Sequence, residues 1–375
     1  MPEELPHRHN EQIRLASILA SALKGSRPSN VFIYGHVGTG KTAVSRFVLK
    51  RLRNEGSLHG LVFDFVYINC RYSDTNYRVL ADISEHVGLS IPFTGLSSAE
   101  VFRRFTKAIG KRDGLLFIVL DEIDSLVKKS GDEVLYRLVR ANGEGPGSRV
   151  AIIGITNDLR LIESLDARIR SSLGEEEIVF PPYNAEQLTD ILERRAKVAF
   201  NETALQPGVI TLCSALAAKE HGDARRALEL LRIAGEIAER ESAAAVSEDN
   251  VRRAYREIER DKVTEVIKTM PIHAKMVLLS VYLGLRDQME GPTTGEVYET
   301  YNRLCPQVGL DSLTQRRLSD FINEMDMLGI LSARLVSKGR YGRTKIVKIG
   351  IPERVLREAL QEDKRLAPFI PTNIL

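Results

Sequence analysis

The chain has 375 residues, of which 27% are charged and 43% apolar, and a net charge of +3. That length exceeds one average core and predicts two or three domains. No apolar run approaches the ~20 residues of a membrane-spanning helix, and the opening MPEELPHRHNEQIR has no apolar signal core, so a cytoplasmic protein is expected.

In chain order, the first half alternates apolar strands at 31–34, 62–69, 115–120, 150–156 and 177–180 with helical patterns. This rhythm predicts βαβ units and a parallel sheet covered on both faces, an α/β fold. Directly after the first strand, Gly35-His36-Val37-Gly38-Thr39-Gly40-Lys41-Thr42 matches G-x-x-x-x-G-K-[ST] and leads into a helix beginning at Ala43. The glycines let successive backbone N–H groups point at phosphates, Lys41 adds a point charge, and the Thr42 hydroxyl suits magnesium. ATP or ADP with Mg2+ is the implied cofactor. The strand at 115–120 runs into Asp121-Glu122, which supplies the carboxylates such a loop needs. Asp121 is expected to hold the magnesium shell and Glu122 to orient or deprotonate the attacking water.

Between the second strand and Asp121 lie two helical patterns, 76–87 and 99–110, flanking Ser90-Ile91-Pro92-Phe93-Thr94-Gly95-Leu96-Ser97. The sheet is expected to end near Pro181-Pro182-Tyr183. Four helices then fill 184–259, broken at Pro207-Gly208, at His221-Gly222-Asp223 and at 246–249, with Ser247 and Asp249 as plausible caps. A polar linker is expected around 260–269. The last third reads as helices at 272–283, 293–304 and 312–328 followed by β-prone runs at 330–337 and 344–349, joined by Lys338-Gly339-Arg340-Tyr341-Gly342-Arg343. Three helices and a hairpin outline a winged helix. From Arg334 to Lys348 every charged residue is basic. Cys70, Cys213 and Cys305 are few and widely spaced, which fits reduced thiols and excludes a Cys-x-x-Cys metal cluster.

Taken together, these features resemble the archaeal origin-recognition and replication-initiator family of AAA+ ATPases, of the origin recognition complex and cell division control type, over nearly the whole chain. The resemblance implies a parallel-sheet nucleotide-binding domain over 1–183, a helical lid over 184–260 and a winged-helix DNA-binding domain over 261–375. Pro6, His7 and Arg8, ahead of Glu11-Gln12-Ile13, are similar to the family's adenine-facing segment, and Tyr183 is placed with them at the nucleotide. Asn157, after Gly154-Ile155-Thr156, resembles the first sensor and would meet the γ-phosphate or the water. Gly222-Asp223-Ala224-Arg225 is similar to the second sensor, with Arg225 reaching from lid to phosphate, although Arg226 beside it is an equal geometric candidate for exposure. Leu328-Gly329-Ile330 and the run 337–344 resemble the end of a recognition helix and its wing.

The function this implies is ATP-dependent binding of duplex origin DNA that promotes loading of a replicative helicase of the MCM type, with slow hydrolysis as a switch. Other initiator paralogues are further implied partners, and a nucleoid-associated location follows. Thr314, Gln315, Arg316 and Arg317 would enter the major groove, while Lys338, Arg340, Tyr341, Gly342 and Arg343 reach a minor groove or phosphates. Thr94 and Gly95 would offer backbone amides to a second stretch of DNA. One departure stands out: where the wider superfamily has an arginine that reaches a neighbouring subunit's nucleotide, this chain has Ser172, with Arg168 and Arg170 nearby. Two rivals remain: a DNA motor or clamp-loader-like ATPase, which an arginine finger would favour, and a signalling nucleotide switch that uses its winged helix for protein contacts.

Overall fold

The computed structural model describes residues 4–92, 94–112, 114–141, 150–173, 175–287, 290–337 and 343–370, with backbone alone at 162, 172, 286, 287, 337 and 343. The chain divides into two compact units, Met1–Val251 and Arg252–Leu375.

In the first unit, β1 (Val31–Gly35), β2 (Phe63–Asn69), β3 (Leu115–Asp121), β4 (Val150–Thr156) and β5 (Glu176–Phe180) form the expected parallel sheet, in the order β2-β3-β4-β1-β5. Every residue of β3 and β4 is buried, which is why both read as unbroken apolar runs rather than alternating ones. The two-residue pleat sends Leu116, Ile118 and Leu120 into one apolar layer and Leu115, Phe117 and Val119 into the other. The second layer is closed by α1 (His9–Leu19) and α2 (Lys41–Leu58), through Leu15, Leu19, Val44 and Val48. The first is closed by α3 (Asn76–His86), α4 (Ser98–Ile109), α5 (Ile123–Ser130), α6 (Glu133–Arg140), α7 (Leu161–Ser164) and α8 (Ala167–Leu173). Each large apolar side chain buried this way contributes ~1.5–3 kcal/mol, so the two layers hold the sheet.

Strand register then sets where function can sit. Tyr34 pairs with Thr156, Asp121 with Ile155 and Gly35 with Phe180. The carboxyl ends of β1, β3 and β4 therefore stop at one level, the edge at which open parallel sheets bind ligands. On the far side, Thr75 and Ser97 cap α3 and α4, which pack through Val79, Leu80, Ile83, Val101, Phe102 and Phe105.

Four helices follow the sheet: α9 (Ala185–Ala199), α10 (Val209–Lys219), α11 (Ala224–Arg240) and α12 (Glu248–Thr269). Two expectations change here. Asp249 lies inside α12 rather than capping it, and only Ser247 has cap geometry, its hydroxyl accepting from the Asn250 amide at 3.4 Å. The stretch 260–269, expected as a linker, continues α12 unbroken to Thr269. It contains no Gly or Pro, and ion pairs at helical spacing such as Lys262–Glu259 (2.9 Å) support a polar helix.

The second unit is built on α13 (Ile272–Asp287), α14 (Thr294–Leu304) and α15 (Gln315–Met327) with an antiparallel hairpin of β6 (Leu331–Ser337) and β7 (Arg343–Ile349). Thr293 closes a capping box with Glu296 at the start of α14. The Val347 amide donates to Pro292 O (2.9 Å), tying the hairpin to that helix entry. A further helix, α16 (Glu353–Gln361), was not expected; it buries Val355, Leu356, Ala359 and Leu360.

Candidate functional site

The loop 35–42 curls around its own lysine. Lys41 Nζ donates to Gly35 O, His36 O and Asn157 Oδ1, each at 2.7 Å. Burial pushes its pKa down to about 8, opposed by the Asp121 charge and helped by Arg225. The strand-tip Asn157 thus meets the loop lysine directly, because β4 lies beside β1 at the register given above. Its neighbours fix it: the Thr156 hydroxyl donates to Asp124 Oδ1 at 2.8 Å, and Lys128 pairs with Asp158 at 3.0 Å.

At the end of β3, Asp121 is 6% exposed and hydrogen-bonded at both carboxylate oxygens. Its Oδ2 accepts from the Thr42 hydroxyl at 2.8 Å and from the Tyr67 hydroxyl, while Oδ1 accepts from the Glu122 amide at 3.0 Å. Burial, then Asp121, pushes the Tyr67 phenol well above its usual range. Glu122 sits at φ 56°, left-handed backbone that a glutamate adopts only at a cost on the order of 1–3 kcal/mol. Strain of this kind gathers at functional positions, and here it turns the chain from β3 into α5 at the carboxylate pair.

The lid closes over this loop. The Gly38 position has no room for a side chain, since a Cβ there would lie 1.6 Å from Asp223 Oδ1. Asp223 caps α11 by accepting from the Arg225 and Arg226 amides, so the helix carrying both arginines begins on the phosphate loop itself. The two arginines separate cleanly. Arg226 is buried and pairs with Glu220 (3.1 Å) and Glu229 (3.6 Å), whereas Arg225 is exposed and lines a cavity of 530 Å³ with Pro6, Gly38, Gly40, Thr42, Ala43 and Tyr183. His36 and Val37 are exposed on the loop, and the Thr39 hydroxyl turns inward to His36 O at 2.9 Å. The His36 ring stacks with His221 of the lid, centroids 6.0 Å apart.

Of the amino-terminal trio, only Pro6 lines that cavity. His7 pairs with Asp190 of the lid at 2.9 Å. Arg8 is buried behind the loop, donating to Thr39 O (2.8 Å) and Pro181 O (2.6 Å), with its guanidinium 3.8 Å from the centre of the Tyr183 ring. It ties the loop to the stretch between β5 and α9. Tyr67, Asp124 and Thr156 were missed by sequence reasoning. The signal for Tyr67 was its place two residues before Asn69, which pairs with Asp121, on the same face of β2. Arg168 and Arg170 are both exposed on α8, and the Ser172 side chain lies outside the described residues.

In the second unit, α15 starts one residue after its cap, Thr314, whose hydroxyl accepts from the Arg317 amide. Leu318, Phe321, Ile322 and Met325 bury one face, leaving Thr314, Gln315, Arg316 and Arg317 exposed. Arg317 lies over the Phe321 ring at 4.8 Å, and Lys345 of β7 reaches Asn323 at 2.5 Å. The buried Tyr301 hydroxyl accepts from the Leu313 amide (3.2 Å) and fixes the turn into α15. Burial pushes that phenol up to about 12. Lys338, Arg340, Tyr341 and Gly342 lie outside the described residues, as does the side chain of Arg343. Thr94 and Gly95 are exposed between α3 and α4, Gly95 at φ 100°.

A phosphate loop, a carboxylate-bearing strand, a strand-tip asparagine and a lid arginine on this sheet define an AAA+ ATPase module, here followed by a winged helix. Residues 24–162 match the AAA domain, 189–256 the Cdc6 AAA+ ATPase-type lid domain and 265–359 the CDC6 C-terminal winged helix domain. The chain is 54% identical over 98% of its length to the ORC1-type DNA replication protein 1 of Sulfurisphaera tokodaii, covering 92% of that protein. It is 49% identical over its full length to the ORC1-type DNA replication protein of Thermococcus kodakarensis, covering 91% of it. The Aeropyrum pernix ORC1 protein, solved in complex with DNA, superposes with a TM-score of 0.82 at 51% identity, over 98% of this chain and 95% of that one. The chain belongs to the family of ORC1-type DNA replication proteins.

Proposed function

We propose that the chain is an ATP-dependent initiator that binds duplex DNA at a replication origin and promotes loading of the replicative helicase, with slow hydrolysis of ATP to ADP as its switch. The observation that carries the nucleotide part is the convergence of Lys41, Asn157, Thr42, Asp121 and Arg225 around one loop. The residues fit the nucleotide and metal. Lys41 already gathers three oxygen acceptors, the atom type a phosphate offers, and Thr42 and Asp121 bring two hard oxygens together, the donor type magnesium takes. Among the described residues no group of three or more His, Cys, Asp or Glu forms a dedicated metal cage, so a site completed by phosphates is the natural one.

In this reading Lys41 binds the outer phosphates, Thr42 and Asp121 hold magnesium, and Glu122 positions the water for in-line attack. Magnesium supplies charge neutralisation on the phosphate oxygens. Asn157 senses the γ-phosphate. Arg225 makes lid closure depend on which nucleotide is bound. Pro6 and Tyr183 wall the cavity toward the base, with His7 and Arg8 bracing it. Arg168 and Arg170, exposed on α8, are the arginines available to a neighbouring subunit in place of the missing finger.

For DNA, the 51%-identical Aeropyrum pernix protein solved with DNA supports the reading, as do the exposed Thr314 to Arg317 at the start of α15. The run Lys338 to Arg343, in sequence between β6 and β7, is the proposed wing contact, and the exposed Thr94 and Gly95 a second one. The proposed division is 1–183, 184–260 and 261–375, with the last boundary falling inside α12. Among the described residues no single helix is long and apolar enough to cross a membrane, and we place the protein in the cytoplasm at the nucleoid. The helicase, of the MCM type, and other initiator paralogues complete the proposed partners.

Nuclease footprinting of the full chain on repeats near its own gene tests this. A protected tract with hypersensitive positions inside is expected, because two anchored contacts offset the cost of bending the duplex between them. No protection at any repeat sinks the origin reading, and uniform short protection removes the second contact.

A further inference from the structure

Tyr67 sits on β2, which among the described residues pairs with β3 at the sheet edge. Its hydroxyl donates to Asp121 Oδ2. Its ring lies under Arg46, whose guanidinium is 3.9 Å from the ring centre. Arg46 follows Thr42 by one helical turn of α2, so the helix that delivers Thr42 to Asp121 also clamps the tyrosine that holds Asp121. Three donors serve this buried carboxylate: Thr42, Tyr67 and the Glu122 amide.

We infer that Tyr67 is a positioning residue for the metal site, fixing the Asp121 carboxylate through its hydroxyl. The inference rests on the nucleotide reading above. With Thr42 committed to magnesium in that reading, Tyr67 and the Glu122 amide are the donors left to hold the carboxylate's orientation. A carboxylate has room for several hydrogen bonds, so a phenol on Oδ2 leaves lone pairs for the metal or its water shell. Partners behind a ligand of this kind typically change metal affinity 10–100-fold when removed.

The test uses the full-length protein and Mn2+ as a paramagnetic substitute for magnesium. Tyr67→Phe keeps the ring and its stack on Arg46 and deletes only the hydroxyl. Expected is Mn2+ binding to the ADP complex weakened by about ten-fold, with ADP affinity in EDTA unchanged. In an Asp121→Asn background the same substitution is expected to add nothing, which separates action through Asp121 from general packing. Equal Mn2+ affinity in wild type and Tyr67→Phe overturns the inference, as does a full ten-fold loss in the Asp121→Asn background. Should Tyr67→Phe fail to fold, Arg46→Ala, at an exposed site, is expected to weaken Mn2+ by roughly three-fold by freeing the ring; an unchanged affinity overturns the inference equally. Wild type that binds ADP but no Mn2+ would refute the metal part of the nucleotide reading, an outcome distinct from a silent Tyr67→Phe.

Discussion

The phosphate-loop site and the exposed end of α15 solve opposite problems with similar residues. Around the loop most of the charge is tied down. Lys41 has three acceptors, Asp121 three donors, and Arg226 two glutamates, while Arg225 alone of the lid pair is left facing the cavity. On α15, by contrast, Gln315, Arg316 and Arg317 stand in solvent above a buried apolar face. A site that binds one phosphate chain and performs chemistry gains from fixed dipoles and low dielectric. In the proposed function the α15 surface meets a long, hydrated polyanion, where charges that adapt are favoured and binding is correspondingly sensitive to salt.

The sharpest way to break this contrast is at Lys41. Lys41→Ala is expected to lower ADP affinity by more than about 100-fold, roughly 3 kcal/mol, since a charge facing several phosphate oxygens in a partly dry loop has no substitute. Calorimetric titration checks it, and DNA affinity without nucleotide should stay as it was. The reverse experiment replaces Arg316 and Arg317 together by Ala. Duplex binding should weaken by about 1–3 kcal/mol and the salt dependence flatten, with ADP affinity untouched. A loss that is the same at every salt concentration would assign these arginines to bases rather than phosphates.

The smallest effect sharpens the comparison through pH. Lys41 is depressed to about 8, and phosphates raise it by favouring the charged form. Nucleotide affinity is therefore expected to be fully present well below pH 8 and to be lost as pH rises through and above it, by roughly five-fold between pH 8 and pH 9. Binding in buffers of different ionisation heat should show proton uptake over that window. DNA affinity carried by arginines should be flat across it, because guanidinium does not titrate there. A parallel decline in both would mean that the protein as a whole, not Lys41, responds to pH.

Much of this protein was legible in its sequence. The five strands, the loop 35–42, the Asp121-Glu122 pair and the three helices followed by a hairpin in the second unit follow from local rules: apolar runs, glycine spacing, caps and turn residues. These signals are carried by residues close together in the chain. The polar helix through 260–269 and the terminal α16 were less visible, since helical pairing of charges and a short amphipathic turn leave weak local marks.

What the sequence left open were choices between neighbours and partners far apart in the chain. Arg225 or Arg226 was undecidable from spacing, because both lie on one turn; the fold decided it by bringing Glu220 to Arg226 and the loop to Arg225. Arg8 read as a nucleotide contact, yet tertiary packing placed its guanidinium behind the loop, against Thr39, Pro181 and Tyr183. Tyr67 carries no local mark within the strand at 62–69; the pairing of β2 with β3 sets its hydroxyl on Asp121, 54 positions away. Local chemistry thus determined which motifs this chain carries. Long-range register decided which side chains meet, because hydrogen bonds act only over a few ångströms and only the folded sheet brings those distances about.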